Sequence, residues 1–149
     1  MSVVSVKFNG FTLLEVMIVI VILGLLASLT IPNLMANKDK ADIQKVISDI
    51  STLENALDMY KLDNGIYPSD EQGIISLVTR PIEPPLPVNY RSNGYLRRLP
   101  KDPWGNEYLI KNPGVHNVIN VFSKGPDGEI NTSDDIGNWI SEELIKSER

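Results

Sequence analysis

The sequence predicts an α+β fold in which one long N-terminal helix packs on a small antiparallel sheet. Three observations predict it: an apolar stripe recurs at helical spacing from Ile43 to Tyr60, two short strand-like runs lie beyond residue 106, and a proline-rich crossing separates stripe from strands. At 149 residues the chain is long enough for one modest domain plus one membrane element. Its net charge of -5 argues against nucleic acid as a partner. There is no cysteine, so no disulfide holds the domain together and no thiol chemistry is available.

The first element is the apolar run from Phe11 to Ile31, in which Glu15 is the only charge. At ~1.5 Å per residue such a helix crosses the ~30 Å hydrocarbon layer of a bilayer. A secretory signal peptide has a shorter core and ends at a small-residue cleavage site, whereas this run passes through "LLASLTIPNLM" without one. A carboxylate near the centre of a membrane helix costs roughly 2.5–3.5 kcal/mol, so Glu15 calls for a partner. Gly24 reads either as a packing notch or as a point where the helix melts. Pro32 is expected to end or kink the helix near Ile31, because proline lacks an N–H and crowds the preceding turn. Helical periodicity then resumes: Ile43, Val46, Ile47, Ile50, Leu53, Leu57 and Tyr60 fall on one stripe, and Asp63-Asn64-Gly65 supplies a stop. The segment from Phe11 to about Leu62 therefore reads as one long helix, half apolar and half amphipathic.

Ser69 and Gln72 have capping-box spacing, which predicts a short second helix from about Asp70 to Val78. Pro81, Pro84, Pro85, Pro87, Pro100 and Pro103 exclude regular structure and predict an extended crossing. "EYLIK" and "NVINVFS", residues 107–111 and 117–123, read as two antiparallel strands joined by a turn at Asn112-Pro113-Gly114.

The C-terminal end is acidic, with seven Asp or Glu against two basic residues from Asp127 to Arg149. Asp127, Asp134 and Asp135 lie in a loop rich in Gly, Pro, Asn and Ser, which is either a solvated acidic face or a cation site. With no cysteine, and with His116 outside the loop, an oxygen-loving ion such as calcium is preferred over zinc. The spacing is not that of an EF-hand. His116 reads as an ordinary surface histidine. Arg91, Arg97, Arg98 and Lys101, interleaved with Tyr90, Tyr95 and Trp104, read as a subunit contact, since arginine and aromatic residues favour protein interfaces. No phosphate-binding glycine motif, nucleophile elbow or catalytic dyad is present, so an enzyme is not expected.

Gly10 followed by Phe11-Thr12-Leu13-Leu14-Glu15, after a short polar leader, resembles the signal of type IV prepilins and type II secretion pseudopilins. Three further stretches, "LDNGIYPSDEQGIISLVTRP", "GYLRRLPKDPWGNEYLI" and "FSKGPDGEINTSDDIGNW", resemble successive blocks of the major pseudopilin of type II secretion, in the same order. That resemblance implies a pilin-like fold with a calcium-organised C-terminal loop, and three regions: a leader over 1–10, a transmembrane and assembly helix over 11–32, and a periplasmic domain over 33–149. It implies cleavage by a prepilin peptidase between Gly10 and Phe11, methylation of Phe11, and a role for Glu15 in assembly through the new ammonium group of a neighbour. For the loop it implies calcium held by Asp127, Asp134 and Asp135 with carbonyls of Lys124 and Thr132, Ser133 and Asn131 being alternative donors. The implied location is the bacterial inner membrane, single-pass. The implied partners are further copies of the chain, minor pseudopilins, the inner-membrane assembly platform with its secretion ATPase and, indirectly, the outer-membrane secretin. The implied function is the major subunit of a periplasmic pseudopilus that drives folded proteins across the outer membrane. A type IV pilin for adhesion, motility or DNA uptake is the alternative, disfavoured by the missing cysteine pair.

Overall fold

The computed structural model describes residues 10–140, with the backbone alone described over 28–36. Of the sequence expectations, the body of the leader (1–9) and the last part of the acidic end (141–149) lie outside the described residues. The chain divides into two units, Met1–Lys40 and Ala41–Arg149.

Helix α1 is assigned over Leu13–Asn64, one element as the periodicity predicts. It runs through Pro32 instead of ending there. One proline removes one hydrogen bond, a loss that long helix-forming runs on either side outweigh. At its start the Thr12 hydroxyl accepts the Glu15 N–H at 3.2 Å, and the Thr12 carbonyl takes the N–H groups of Glu15 and Val16. Among the described residues no helix is long and apolar enough to cross a membrane. The expected span, 11–32, overruns the side chains described here, which stop at Ala27 on this side of the gap.

In the second unit the amphipathic part of α1 buries Val46, Ile50, Leu53, Ala56, Leu57 and Tyr60 along one face. Their spacing of three and four residues is what places them on a single stripe. They form one core with Ile74, Leu77, Tyr108, Ile110, Ile119 and Val121. The sheet has three antiparallel strands in the order β1 (Leu109–Lys111), β2 (Asn120–Ser123) and β3 (Ile136–Gly137). Ile110 faces Val121 across the first pair and Phe122 faces Gly137 across the second. The sequence signals miss β3, a two-residue strand ending in glycine inside the acidic stretch, too short for alternation to show. β2 starts later than predicted because residues 117–119 belong to the turn, which the side chain of Asn120, the first residue of β2, closes. The Asn120 side-chain oxygen accepts the N–H groups of His116 and Asn117, and a Cβ at Gly114 would lie 2.6 Å from it.

The capping box at Ser69 and Gln72 forms reciprocally, but it leads into a four-residue 3-10 helix, Ile74–Leu77, not a helix over 70–78. Gly73 sits at φ 60°, and that left-handed residue between cap and helix shortens the element. The proline-rich crossing lacks helix and strand, as expected, and is pinned at several points. Gln72 Nε2 donates to the carbonyls of Glu83 and Pro85, Asn64 Oδ1 accepts the Asn89 N–H, and Leu77 O accepts the N–H groups of Tyr95 and Leu96. The rings of Tyr60, Tyr90 and Tyr95 pack with centroids 5.2–6.2 Å apart, wedging the crossing onto α1.

Beside this cluster, Tyr67 donates its hydroxyl to Asp58 Oδ1 at 2.7 Å. Burial, and then the hydrogen bond to the Asp58 carboxylate, push the phenol up to about 12. A folded-state value raised above the ordinary 10 means that the folded protein holds this proton more tightly. The stabilisation is complete below pH 10 and is lost as pH rises through about 12. Burial raises all five tyrosines, so phenolate absorbance is expected to develop above the ordinary tyrosine range, and Tyr67→Phe to remove one ring's share of it near 12, with a flatter alkaline fall in stability. A wild-type titration complete near the ordinary tyrosine value would contradict this.

Candidate functional site

Three groups of residues carry the functional reading. The first is the Gly10–Phe11 junction, where both residues are exposed and no atom lies within 4 Å of a Cβ built on Gly10. Glu15 lies in the first turn of α1, where the partial positive charge of the helix N-terminus favours a carboxylate. From Leu13 to Leu26 every large apolar side chain is at least half exposed, a continuous apolar surface of the kind that marks a membrane or protein contact.

The second group is the basic crossing. Arg91 is taken up within the chain: it pairs with Asp63 at 2.5 Å and lies over the Tyr95 ring at 5.1 Å. The Arg91 guanidinium holds the Asp63 carboxyl below its usual range, chiefly through their hydrogen bond. Arg97, Arg98 and Lys101 are exposed, as is the paired Arg91. His116 is exposed as expected and packs against Trp139 with ring centroids 4.6 Å apart.

The third group is the acidic loop between β2 and β3. Gly125 and Gly128 have positive φ, as does Asn131, so the chain curls back on itself. A Cβ at Gly125 would lie 2.4 Å from Asp134 O and 2.5 Å from Asp134 Oδ2, so only glycine permits this approach. Asp134 Oδ2 accepts the Asp127 N–H at 3.2 Å, and Asp134 Oδ1 accepts the Thr132 hydroxyl at 2.7 Å. These contacts, the Thr132 hydroxyl first, hold the Asp134 carboxyl below its usual range. Asp127 Oδ1 takes the Glu129 N–H, while Asp135 Oδ2 takes that of Asn131. The Thr132 carbonyl accepts the Asp135 N–H at 3.4 Å, and Lys124 lies between Ser123 and Gly125 at the mouth of the loop. Among the described residues no three His, Cys, Asp or Glu side chains are gathered as a metal-holding group. The loop does bring Asp127, Thr132 and Asp134 together, and Asp135 Oδ1 is buried without a hydrogen-bond partner. Oxygen-only donors and one orphaned carboxylate oxygen fit a hard cation such as calcium.

Sequence reasoning missed two residues that fix this loop. Asn138 binds both sides of it: its N–H donates to the Val121 carbonyl, its Oδ1 accepts the Val121 N–H, and its Nδ2 reaches Ile119 O and, on α1, Glu54 Oε1. Asp102, almost fully buried, caps the turn Asp102-Pro103-Trp104-Gly105 and reaches Ser123. An Asp before Pro and Gly signals a turn, but not the distant partner.

Comparisons with known proteins give the family. Residues 33–139 match the family model described as Type II secretion system (T2SS), protein G, and residues 6–31 match the prokaryotic N-terminal methylation motif. The chain is 65% identical over 131 residues to the type II secretion system core protein G of Pectobacterium carotovorum subsp. carotovorum, covering 88% of this chain and 84% of that one. It is 62% identical over 133 residues to the core protein G of Escherichia coli (strain K12), covering 89% and 92%. To the Vibrio cholerae core protein G it is 59% identical over 136 residues, covering 89% and 92%. Among solved structures it resembles the crystal structure of the major pseudopilin from the type 2 secretion system of enterohaemorrhagic Escherichia coli. The TM-score is 0.69 at 61% identity, covering 72% of this chain and 95% of that one.

Proposed function

The chain belongs to the protein G family of type II secretion, as a major pseudopilin, and on that premise we propose how its three groups of residues serve a secretion filament. The observation that carries the reading is the joint presence of the family match over the domain and the methylation motif before it. A prepilin peptidase cuts between Gly10 and Phe11 and methylates Phe11. The apolar stretch then spans the inner membrane and afterwards packs in the filament core, with the domain in the periplasm. Glu15 faces the new ammonium group of a neighbouring copy. A buried pair of this kind adds little net stability, but it penalises every register in which the carboxylate is left alone. Arg97, Arg98 and Lys101 offer charge for contacts between subunits, minor pseudopilins included. Assembly is powered by the inner-membrane platform and its ATPase; the growing filament acts toward the secretin.

Calcium belongs to this proposal. Asp127, Asp134 and Asp135 would hold it with the carbonyls of Lys124 and Thr132, and its charge would neutralise the acidic loop that closes the sheet. Support comes from the orphaned Asp135 Oδ1 and the oxygen-only donor set. An ion that binds only the folded state stabilises it by RT ln(1 + [L]/Kd), about 2.7 kcal/mol at a hundredfold excess over Kd. The full chain in detergent micelles is therefore expected to melt higher with calcium than with chelator, and Asp134→Ala to abolish the difference. Identical melting curves would exclude the ion. In cells, the double variant Asp134→Ala, Asp135→Ala is expected to trap normally exported proteins in the periplasm. Normal export with loss of surface pili would point to the type IV pilin instead.

A further inference from the structure

Asp102 is a carboxylate 4% exposed in a turn that backbone groups alone could close. Its Oδ1 accepts the N–H groups of Trp104 at 3.1 Å and Asn106 at 2.7 Å, and its Oδ2 accepts the Ser123 hydroxyl at 2.7 Å. Ser123, itself fully buried, then accepts the Gly125 N–H on its Oγ at 3.1 Å. From the same turn, Asn106 Nδ2 reaches the Gly125 carbonyl at 3.4 Å. The Gly125 carbonyl is thus held directly by Asn106 and its N–H by Ser123, which Asp102 holds in turn, and Gly125 is the residue on which Asp134 rests, with no room for a Cβ between them. The turn adjoins Lys101, whose carbonyl takes Lys45 Nζ from α1 at 2.6 Å. A buried network in which each member is satisfied is rigid, and a shift at one end is felt at the other.

We propose that Asp102 is a positioning residue for the acidic loop: through Ser123 and Gly125 it sets where Asp134 lies, and so sets calcium affinity without touching the ion. This role rests on the calcium reading of the loop. Coupling is reciprocal, so an ion that fixes Asp134 also fixes the turn 102–106 next to the exposed Arg97, Arg98 and Lys101. Groups behind the ligands of a metal site typically change affinity about 10–100-fold when removed.

The test uses the full chain in detergent micelles, titrated with calcium chloride and followed by calorimetry and by amide NMR. The expected result is that the N–H signals of Trp104 and Asn106 shift with the same calcium midpoint as Gly125. Ser123→Ala is expected to raise the calcium Kd about tenfold and to uncouple the Trp104 and Asn106 signals. Should the buried Ser123→Ala chain fail to fold, Asn106→Ala cuts the second link from a partly exposed position and is expected to weaken binding in the same direction. Calcium binding with unmoved Trp104 and Asn106 amides and wild-type affinity in the folded variant overturns the inference and leaves the calcium reading intact. Absence of binding heat and of any shift at Gly125 overturns the calcium reading, and the role of Asp102 with it.

Discussion

In a strain whose only copy carries Gly10→Leu, the chain is expected to stay at full length and export to the medium to drop to the level of a strain lacking it. Gly10 carries no side chain beside the peptide before Phe11, and a branched side chain there would occupy space a peptidase must enter. Without cleavage Phe11 keeps its amide and gains no ammonium. Glu15 then enters an apolar bundle unpaired, and removing one partner of a buried ion pair costs about 3–5 kcal/mol per subunit. Summed along a filament, that cost stops assembly. N-terminal mass analysis of the chain, with the amounts of exported protein in medium and periplasm, provides the check. Full export by an uncleaved chain would remove the processing step from the proposal.

The second large effect concerns the domain itself. Leu57→Ala is expected to destabilise the folded domain by about 2–5 kcal/mol, the range for truncating a buried leucine and leaving a cavity behind. Leu57 is 0% exposed, on the stripe that meets the sheet. Domains of this size hold about 5–15 kcal/mol in total, so the loss is a large share. Leu62, further along the same helix, is 84% exposed. Leu62→Ala is expected to stay within about 0.5 kcal/mol of wild type. Urea denaturation of the two variants side by side separates burial from helix propensity, because the substitution is the same in both. Equally large losses would mean that Leu62 is covered, and equally small ones that Leu57 is not part of the core.

What could be read in the sequence was what depends on spacing and composition. The stripe on α1 comes from side chains recurring at helical intervals, and the stop at Asn64-Gly65 from residues that tolerate left-handed backbone. The acidic loop announced itself by its Asp and Gly content. Its internal arrangement did not, since Asp127 and Asp134 meet through a backbone N–H. The links from Asp102 to Ser123 and from Asn138 to Glu54 join residues 21 and 84 positions apart, and such pairings leave no local pattern. Pro32 reads locally as an end or a kink, and the helix assignment continues through it, as the periodicity on its far side implies.

Gln72 grips the carbonyls of Glu83 and Pro85, which any amino acid would present, while Ile82 is 91% exposed and Leu86 and Val88 also face outward. The shape of the crossing is therefore set by these main-chain anchors together with the packed rings of Tyr90 and Tyr95, and its surface character by outward side chains that do not shape it. Ile82, Leu86 and Val88 can therefore be exchanged without loosening those anchors, so contacts made by this face can change, or accept grafted side chains, while the domain beneath stays the same.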